Sequence, residues 1–413
     1  MGHEVLTCGM RPHLEYHIPQ SIITLGELLS QLPGGFTPDR IVWHDHSGPI
    51  TVLGLEDAEA PCLMYSVDTH HHHLRHAASA LGFDHVCVAQ RDLMHHFADS
   101  QTPTSWLPLW ASEYVECSQI KKHGAVFVGT LNAQLNPRRV EFFETLRQMI
   151  PIEVLEGHFP SIFPHAEIVL NQTVKGDLNF RVFEAMMCGA LLLTERSGNG
   201  LLELFEDGTH LVTYTPNDPL DAADKVRTLL SNPTLMRAIA HQGREEILAK
   251  HTSLHRAQRL EAILRTLRKR ERTPHRHYGA MTNLFSISTS AEQKNMELSG
   301  YTSAFALRCA LRGLRDGAIP SDFTTSSIIN ACLRHDILFR DGLGARTISE
   351  FADALPDTTI FSLLKLRSLL NSGKEQEART LALTVHKDIC VEDTFLLAEK
   401  AATFLIEQLP MKM

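Results

Sequence analysis

Hydrophobic positions along the chain follow two regimes. Up to Arg270, short apolar runs alternate with segments whose apolar residues recur at helical spacing; beyond it strand-like runs almost vanish. In the first regime Arg40–Trp43, Pro61–Val67, His85–Ala89 and Ser105–Leu109 read as strands. Helical spacing covers Ile22–Leu32, His71–Leu81 and Asp92–Ala98. The pattern restarts at Ala125 with AVFVGTLN, then a helix over Pro137–Met149, a strand over Ile152–Leu155 and a strand ending at Val169 and Leu170. Phe180–Cys188 is predicted helical and stopped by Gly189, Ala190–Thr194 is a buried strand, and Leu211–Tyr214 is the last strand. Helices over Pro219–Leu230, Pro233–Lys250 and Leu254–Arg270 close this regime. Strand and helix in alternation predict an α/β fold of two units, each a parallel sheet with crossover helices, whose ligand sits beyond the carboxyl ends of the strands.

Lys269–His277, KRERTPHRH, reads as a basic polar linker. After it, helices are expected over Ala304–Leu314, Phe323–Leu333, Ile348–Leu355, Ile360–Leu370, Glu375–Val385 and Thr394–Leu409, paired as helical hairpins of tetratricopeptide type without a clean repeat period. The expected domains are therefore 1–120, 121–270 and an all-α region over 281–413. The last is a candidate surface for a protein partner.

Composition narrows the function. A chain of 413 residues with 43% hydrophobic and 21% charged residues is of globular type, and its formal charge of −9 disfavours a nucleic-acid backbone as main partner. No apolar run reaches the length of a membrane span and the N-terminus lacks a signal-peptide pattern, so the expected location is cytoplasmic. The eight Cys are scattered without CxxC spacing, which points to neither a zinc ribbon nor a disulfide framework.

The stretch NFRVFEAMMCGALLLTE, followed by LLELFEDGTHLVTY, resembles the donor-sugar half of GT-B glycosyltransferases, in particular the branch of the spore-maturation CgeB-like proteins. The resemblance covers roughly Ala125–Ala257. It implies two Rossmann-like domains, a nucleotide diphosphate sugar as co-substrate with no cofactor or metal, and an acceptor hydroxyl on a glycan, a lipid-linked glycan or a protein. It places Glu184 on the ribose hydroxyls, a diol for which a carboxylate offers two acceptor oxygens. The resemblance also implies that Asn179, Arg181, Thr194, Ser197, Gly198 and Gly200 lie around the sugar and phosphates. Lys175, Arg138 and Arg139 are the candidate diphosphate contacts, the two arginines lying in the first turn of a helix. Many retaining members carry a second Glu eight positions before the ribose Glu; here Gly176 stands there and Asp177 is the nearest acid. Arg181 also offers an alternative, purely structural partner for Glu184.

WHDHSG at Trp43–Gly48 and SVDTHHHHLRH at Ser66–His76 follow predicted strands of the first unit. Asp68, His70 and His44 are thus candidates for the base that activates an acceptor, a His near its ordinary pKa of about 6.5 being able to take a proton at neutral pH. A competing reading makes His72 and His76, four apart, metal ligands together with His44, Asp45 and His46. A noncatalytic scaffold and a nucleotide-sugar epimerase are the alternatives to transfer.

Overall fold

The computed structural model describes residues 2–280 apart from 10, 13, 19–22, 35, 46, 48–51, 112–113, 135 and 275, then 342–352, 358–385 and scattered positions from 306 to 340 and at 398. In the first unit, β1 (Cys8–Gly9) pairs β2 (Tyr16–His17) and β3 (Ile23–Thr24) leads into α1 (Leu25–Ser30). The main sheet orders β4 (Ile41–His44), β6 (Cys62–Ser66), β7 (His85–Val88) and β8 (Thr104–Trp106), all parallel, while the two-residue β5 (Val52–Leu53) pairs β3 instead. Between β6 and β7 runs α2 (Thr69–Ser79), kinked at His72. Between β7 and β8 the chain winds as a tight 3-10 helix over Arg91–Ser100.

The second unit contains β9 (His123–Val128), α3 (Pro137–Met149), β10 (Glu153–Leu155), α4 (Phe159–Ile162), β11 (Ala166–Asn171), α5 (Phe180–Met187), β12 (Leu191–Glu195), α6 (Leu201–Leu204) and β13 (Val212–Tyr214). Three further helices follow: α7 (Pro219–Ser231), α8 (Pro233–Lys250) and α9 (Ser253–Thr266). Its parallel strands lie in the order β10-β9-β11-β12-β13. Chain order 2-1-3-4-5 reverses direction between β9 and β11, and at such a switch point the loops diverge and leave a crevice.

Local chemistry explains these elements. α3, α7 and α8 each begin with Pro at the first helical position behind an Asn or Asp whose side chain accepts from a free amide: Asn136 from Arg139, Asp218 from Leu220 and Asp221, Asn232 from Leu235. At the end of α5, Gly189 at φ 69° lets its amide reach the Met186 carbonyl and that of Ala190 reach Ala185, closing the helix and turning directly into β12. Successive residues of the central strands serve opposite faces. Ile168, Leu170, Leu191 and Leu193 pack with Phe143 and Leu146 of α3 and Val226 of α7, and Val169 and Leu192 pack with Phe183 and Met186 of α5. Each such fully buried side chain contributes about 1.5–3 kcal/mol.

The second of these clusters does not stop at the unit boundary. Leu63, Tyr65, Leu107 and Leu109 of the first unit belong to the same core as Val126, Val182 and Met186 of the second. The predicted linker also differs from expectation. α9 ends at Thr266 rather than Arg270, and Lys269–His277 is bound onto the amino end of the first sheet. There the buried Asp84, just before β7, accepts from Cys62 N at 2.7 Å, Arg270 N at 2.8 Å and the Arg276 guanidinium at 2.6 Å. Its charge draws the basic run in, so this run is a strap that returns the chain to the first unit.

Beyond the strap, α10 (Leu343–Ala352), α11 (Thr358–Asn371) and α12 (Glu375–Val385) pack in succession. The Ser372–Lys374 turn, with Gly373 at φ 74°, makes α11 and α12 a helical hairpin, in which Ala378 and Ala382 admit Leu366 and Leu369. The helix expected over Ile348–Leu355 lies earlier, over Leu343–Ala352. Positions 306, 307, 309, 312 and 313 are helical, whereas nearly all of Phe323–Leu333 and Thr394–Leu409 lies outside the described residues.

Candidate functional site

Carboxyl ends of the two sheets face each other, and four contacts fix the approach. The loop after β11 meets the first unit where Lys175 Nζ donates to the His70 carbonyl at 3.4 Å, and where Gln90 exchanges hydrogen bonds with Leu178, donating to its carbonyl at 3.3 Å and accepting from its amide at 2.8 Å. The loop after β12 meets it where Asn199 N donates to Asp92 at 2.7 Å, and α6 behind that loop where Arg91 pairs with Glu203. Gly198 and Gly200 stand at this seam for steric reasons. A Cβ on Gly198 would lie 2.3 Å from Asp92 Oδ2, and one on Gly200 2.3 Å from the Trp106 ring. Gly200, at φ 86°, is packed under the Trp106 ring.

On the second unit the switch point is held by polar side chains at the strand ends. Arg181 Nη1 donates to Asn171 Oδ1 at 2.8 Å and its Nη2 to the Val128 carbonyl at 2.6 Å, with its guanidinium 4.7 Å from the centre of the Phe127 ring. This clamps β9 to β11. Burial, with the neighbouring Arg139 charge, lowers the Arg181 pKa to about 10, so it stays cationic at neutral pH. Arg139 reaches Gln172 with two donors, at 3.0 Å each, while Arg138 beside it is exposed. Thr194 is fully buried and its hydroxyl accepts from Asn171, which corrects its expected place among the ligand contacts. Ser197 is half-buried in the loop after β12.

Asp177 is likewise turned inward. It accepts from Val174 N at 2.6 Å and from Asn179 at 3.5 Å, and burial raises its pKa, so it shapes the loop and is not presented to a sugar in place of the missing Glu. Asn179 also donates to Asn171 at 3.3 Å. What this tightened loop presents is Lys175, exposed at its tip with φ 54°. Glu184 lies half-buried in the second turn of α5, and Arg181 gives its two closest hydrogen bonds to Asn171 and Val128.

Asp45 organises the first-unit side, a role its sequence position did not reveal. Its buried carboxylate accepts from Ser47 N, Val67 N and Asp68 N and lies 3.6 Å from His76 Nε2. It thereby joins the loops after β4 and β6 and sets the start of α2. Asp68 is half-buried and accepts from the Ser47 hydroxyl. His44 is exposed, edge-on to Tyr65. His70 departs from expectation: burial above all, then the adjacent His71, lowers its pKa to about 4, so it is neutral at pH 7 and a weak base. Its buried Nδ1 has no hydrogen-bond partner and can accept or donate to a ligand. Ser66, His76 and Asp45 are arranged like a nucleophile, base and acid, yet Ser66 is 0% and His76 1% exposed, closing that group to any substrate.

His72 and His76 do not come together with His44 and Asp45 as ligands. Among the described residues the converging group of three is Glu56, Asp57 and His277, at the other end of the sheet. His46 lies outside the described residues.

These histidines make a pH prediction. His70, His72 and His251 are lowered to about 4, each mainly by burial, from about 6.5 in the unfolded chain. Between those values the unfolded state binds more protons. Stability is therefore complete above about pH 6.5 and is lost as pH falls toward 4, by at most ~1.4 kcal/mol per pH unit for each proton, least for the half-exposed His72. Denaturant midpoints at pH 7 and pH 5 should differ accordingly; equal midpoints would refute the burial of these rings.

Residues 138–262 match the family described as Glycosyl transferase-like. The chain thus carries a glycosyl transferase-like region, running from α3 to α9 and containing the switch-point loop and α5. No curated protein matches. Among solved structures, the chain is similar to Anabaena Alr3699/HepE in complex with UDP and glucose, at 13% identity and a TM-score of 0.42 over 50% of this chain and 72% of that one. It is also similar to sucrose-phosphate synthase from Thermosynechococcus elongatus, at 12% and 0.42 over 51% and 68%. The pneumococcal O-GlcNAc transferase GtfA in complex with UDP and GlcNAc is similar at 12% and 0.38 over 51% and 54%. In the described residues no helix is long and apolar enough to cross a membrane.

Proposed function

We propose that the protein is a GT-B glycosyltransferase that moves a sugar from a nucleotide diphosphate sugar to an acceptor hydroxyl on a glycan, a lipid-linked glycan or a protein. The observation carrying this reading is the coincidence of the family match with the switch point, where the loop tipped by Lys175 and the helix bearing Glu184 meet the first unit. Glu184 accepts from the ribose hydroxyls. Lys175 and the exposed Arg138 approach the diphosphate, and the cationic Arg139 and Arg181, held behind the crevice by Gln172 and Asn171, add positive potential without needing to move. Such preorganised charge stabilises the departing diphosphate as negative charge develops on it. Asp68 takes the acceptor proton, and neutral His70 contributes a hydrogen bond. The CgeB-like branch is supported by the FEAM segment alone, and the helical region beyond the strap is assigned to a protein partner.

Glu184→Gln tests the donor site. It keeps the size of the side chain and removes its charge, so nucleoside diphosphate affinity should fall by about 1–3 kcal/mol, roughly 5- to 150-fold. Titration calorimetry on the folded variant measures this, and an unchanged affinity rejects the assignment.

A further inference from the structure

At the amino end of the first sheet, away from the crevice, a turn over Leu55–Asp57 and the strap bring Glu56, Asp57 and His277 together. One ligand atom from each lies within 4.8 Å of the others. An ion held at about 2.0–2.3 Å bridges atoms up to about twice that distance apart, so the group matches the span of one small cation. Two further features point to a positive occupant. Glu56 is only 4% exposed, and its Oε2 is buried without a hydrogen-bond partner. The space is currently approached by a guanidinium: Arg272 Nε is 2.9 Å from Asp57, and its Nη2 lies 3.1 and 3.0 Å from the two ring nitrogens of His277. Arg272 is itself largely exposed and free to swing out.

We propose that Glu56, Asp57 and His277 bind a zinc-class divalent cation that displaces the Arg272 guanidinium and fastens the strap to the first unit. An imidazole and two carboxylates form a donor set suited to Zn²⁺. Lys269, whose charge also reaches Glu56, is 3.5 Å from Asp84 and is drawn toward that carboxylate. Because the site lies at the opposite end of the strands from the crevice, its role is structural.

The test uses the full chain, stripped with a chelator and titrated with Zn²⁺ alone, with bound metal measured by elemental analysis. One ion per chain and a raised melting temperature are expected. Glu56→Gln and His277→Gln should each weaken Zn²⁺ binding by about 10- to 100-fold or more. Arg272→Ala, a surface change compatible with folding, should tighten it by removing the competing cation. Substoichiometric binding, affinity indifferent to Glu56 and His277, or weaker binding in Arg272→Ala would overturn the proposal. Nucleoside diphosphate affinity should be the same with and without the ion, so failure here is distinguishable from failure of the donor-site assignment.

Discussion

Asp68→Asn should lower turnover by about 10²- to 10⁴-fold while leaving nucleoside diphosphate affinity nearly intact, the signature of losing a general base. Position supports the choice: Asp68 follows β6 at its carboxyl end, its amide is fixed by Asp45, and the next turn carries the His70 carbonyl that meets Lys175. The amide of Asn preserves the shape and the hydrogen bond to Ser47 while removing the basic oxygen. His70, whose pKa lies near 4, does not supply an ionisation near neutrality, so the rate should be flat between about pH 6 and 8. Steady-state rates and binding measured together decide it: unchanged turnover, or lost nucleotide affinity, removes Asp68 from the role.

Asp84→Ala should cost about 3–5 kcal/mol of stability, because it leaves the Arg276 guanidinium buried and unpaired. Asp84 and Arg276 are 2% and 3% exposed, and the same carboxylate holds the amides of Cys62 and Arg270. The loss should appear as a lowered denaturant midpoint. Should the single variant fail to fold, Asp84→Ala with Arg276→Met should recover part of the loss by replacing the pair with apolar contact. A midpoint equal to that of the parent protein would show that the strap does not depend on this pair.

Elements were legible where local chemistry and pattern agreed. Asn136-Pro137, Asp218-Pro219 and Asn232-Pro233 carry both the cap and the first helical residue, and Leu191–Glu195 is too apolar and too short to be anything but a buried strand. The two-residue strands were not legible, since pairs such as Ile23–Thr24 with Val52–Leu53 exist only through a distant partner. The basic run after α9 looked like a solvated linker because its partner, Asp84, lies 192 positions from Arg276 in sequence.

Within the site, sequence indicated which segments meet but not which way side chains turn. Asp177 sits in the expected loop and Thr194 at the end of the expected strand, and both face inward, satisfying the Val174 amide and the Asn171 side chain. The lowered pKa of His70 was invisible for the same reason, as its causes are burial first and then the adjacent His71. At Gly198 and Gly200 the structure adds a steric reason for glycine that the sequence did not show, the close approach of Asp92 and Trp106.

Stabilisation by nucleoside diphosphates tests donor binding at the crevice most directly. A ligand present at 100 times its dissociation constant stabilises the folded state by about 2.7 kcal/mol. At least one of UDP, GDP, ADP, CDP and TDP should therefore raise the melting temperature of the parent protein, and the same concentration should raise that of Glu184→Gln less. No shift with any of the five, at millimolar concentration and in the folded protein, would contradict the account and leave the scaffold reading in its place.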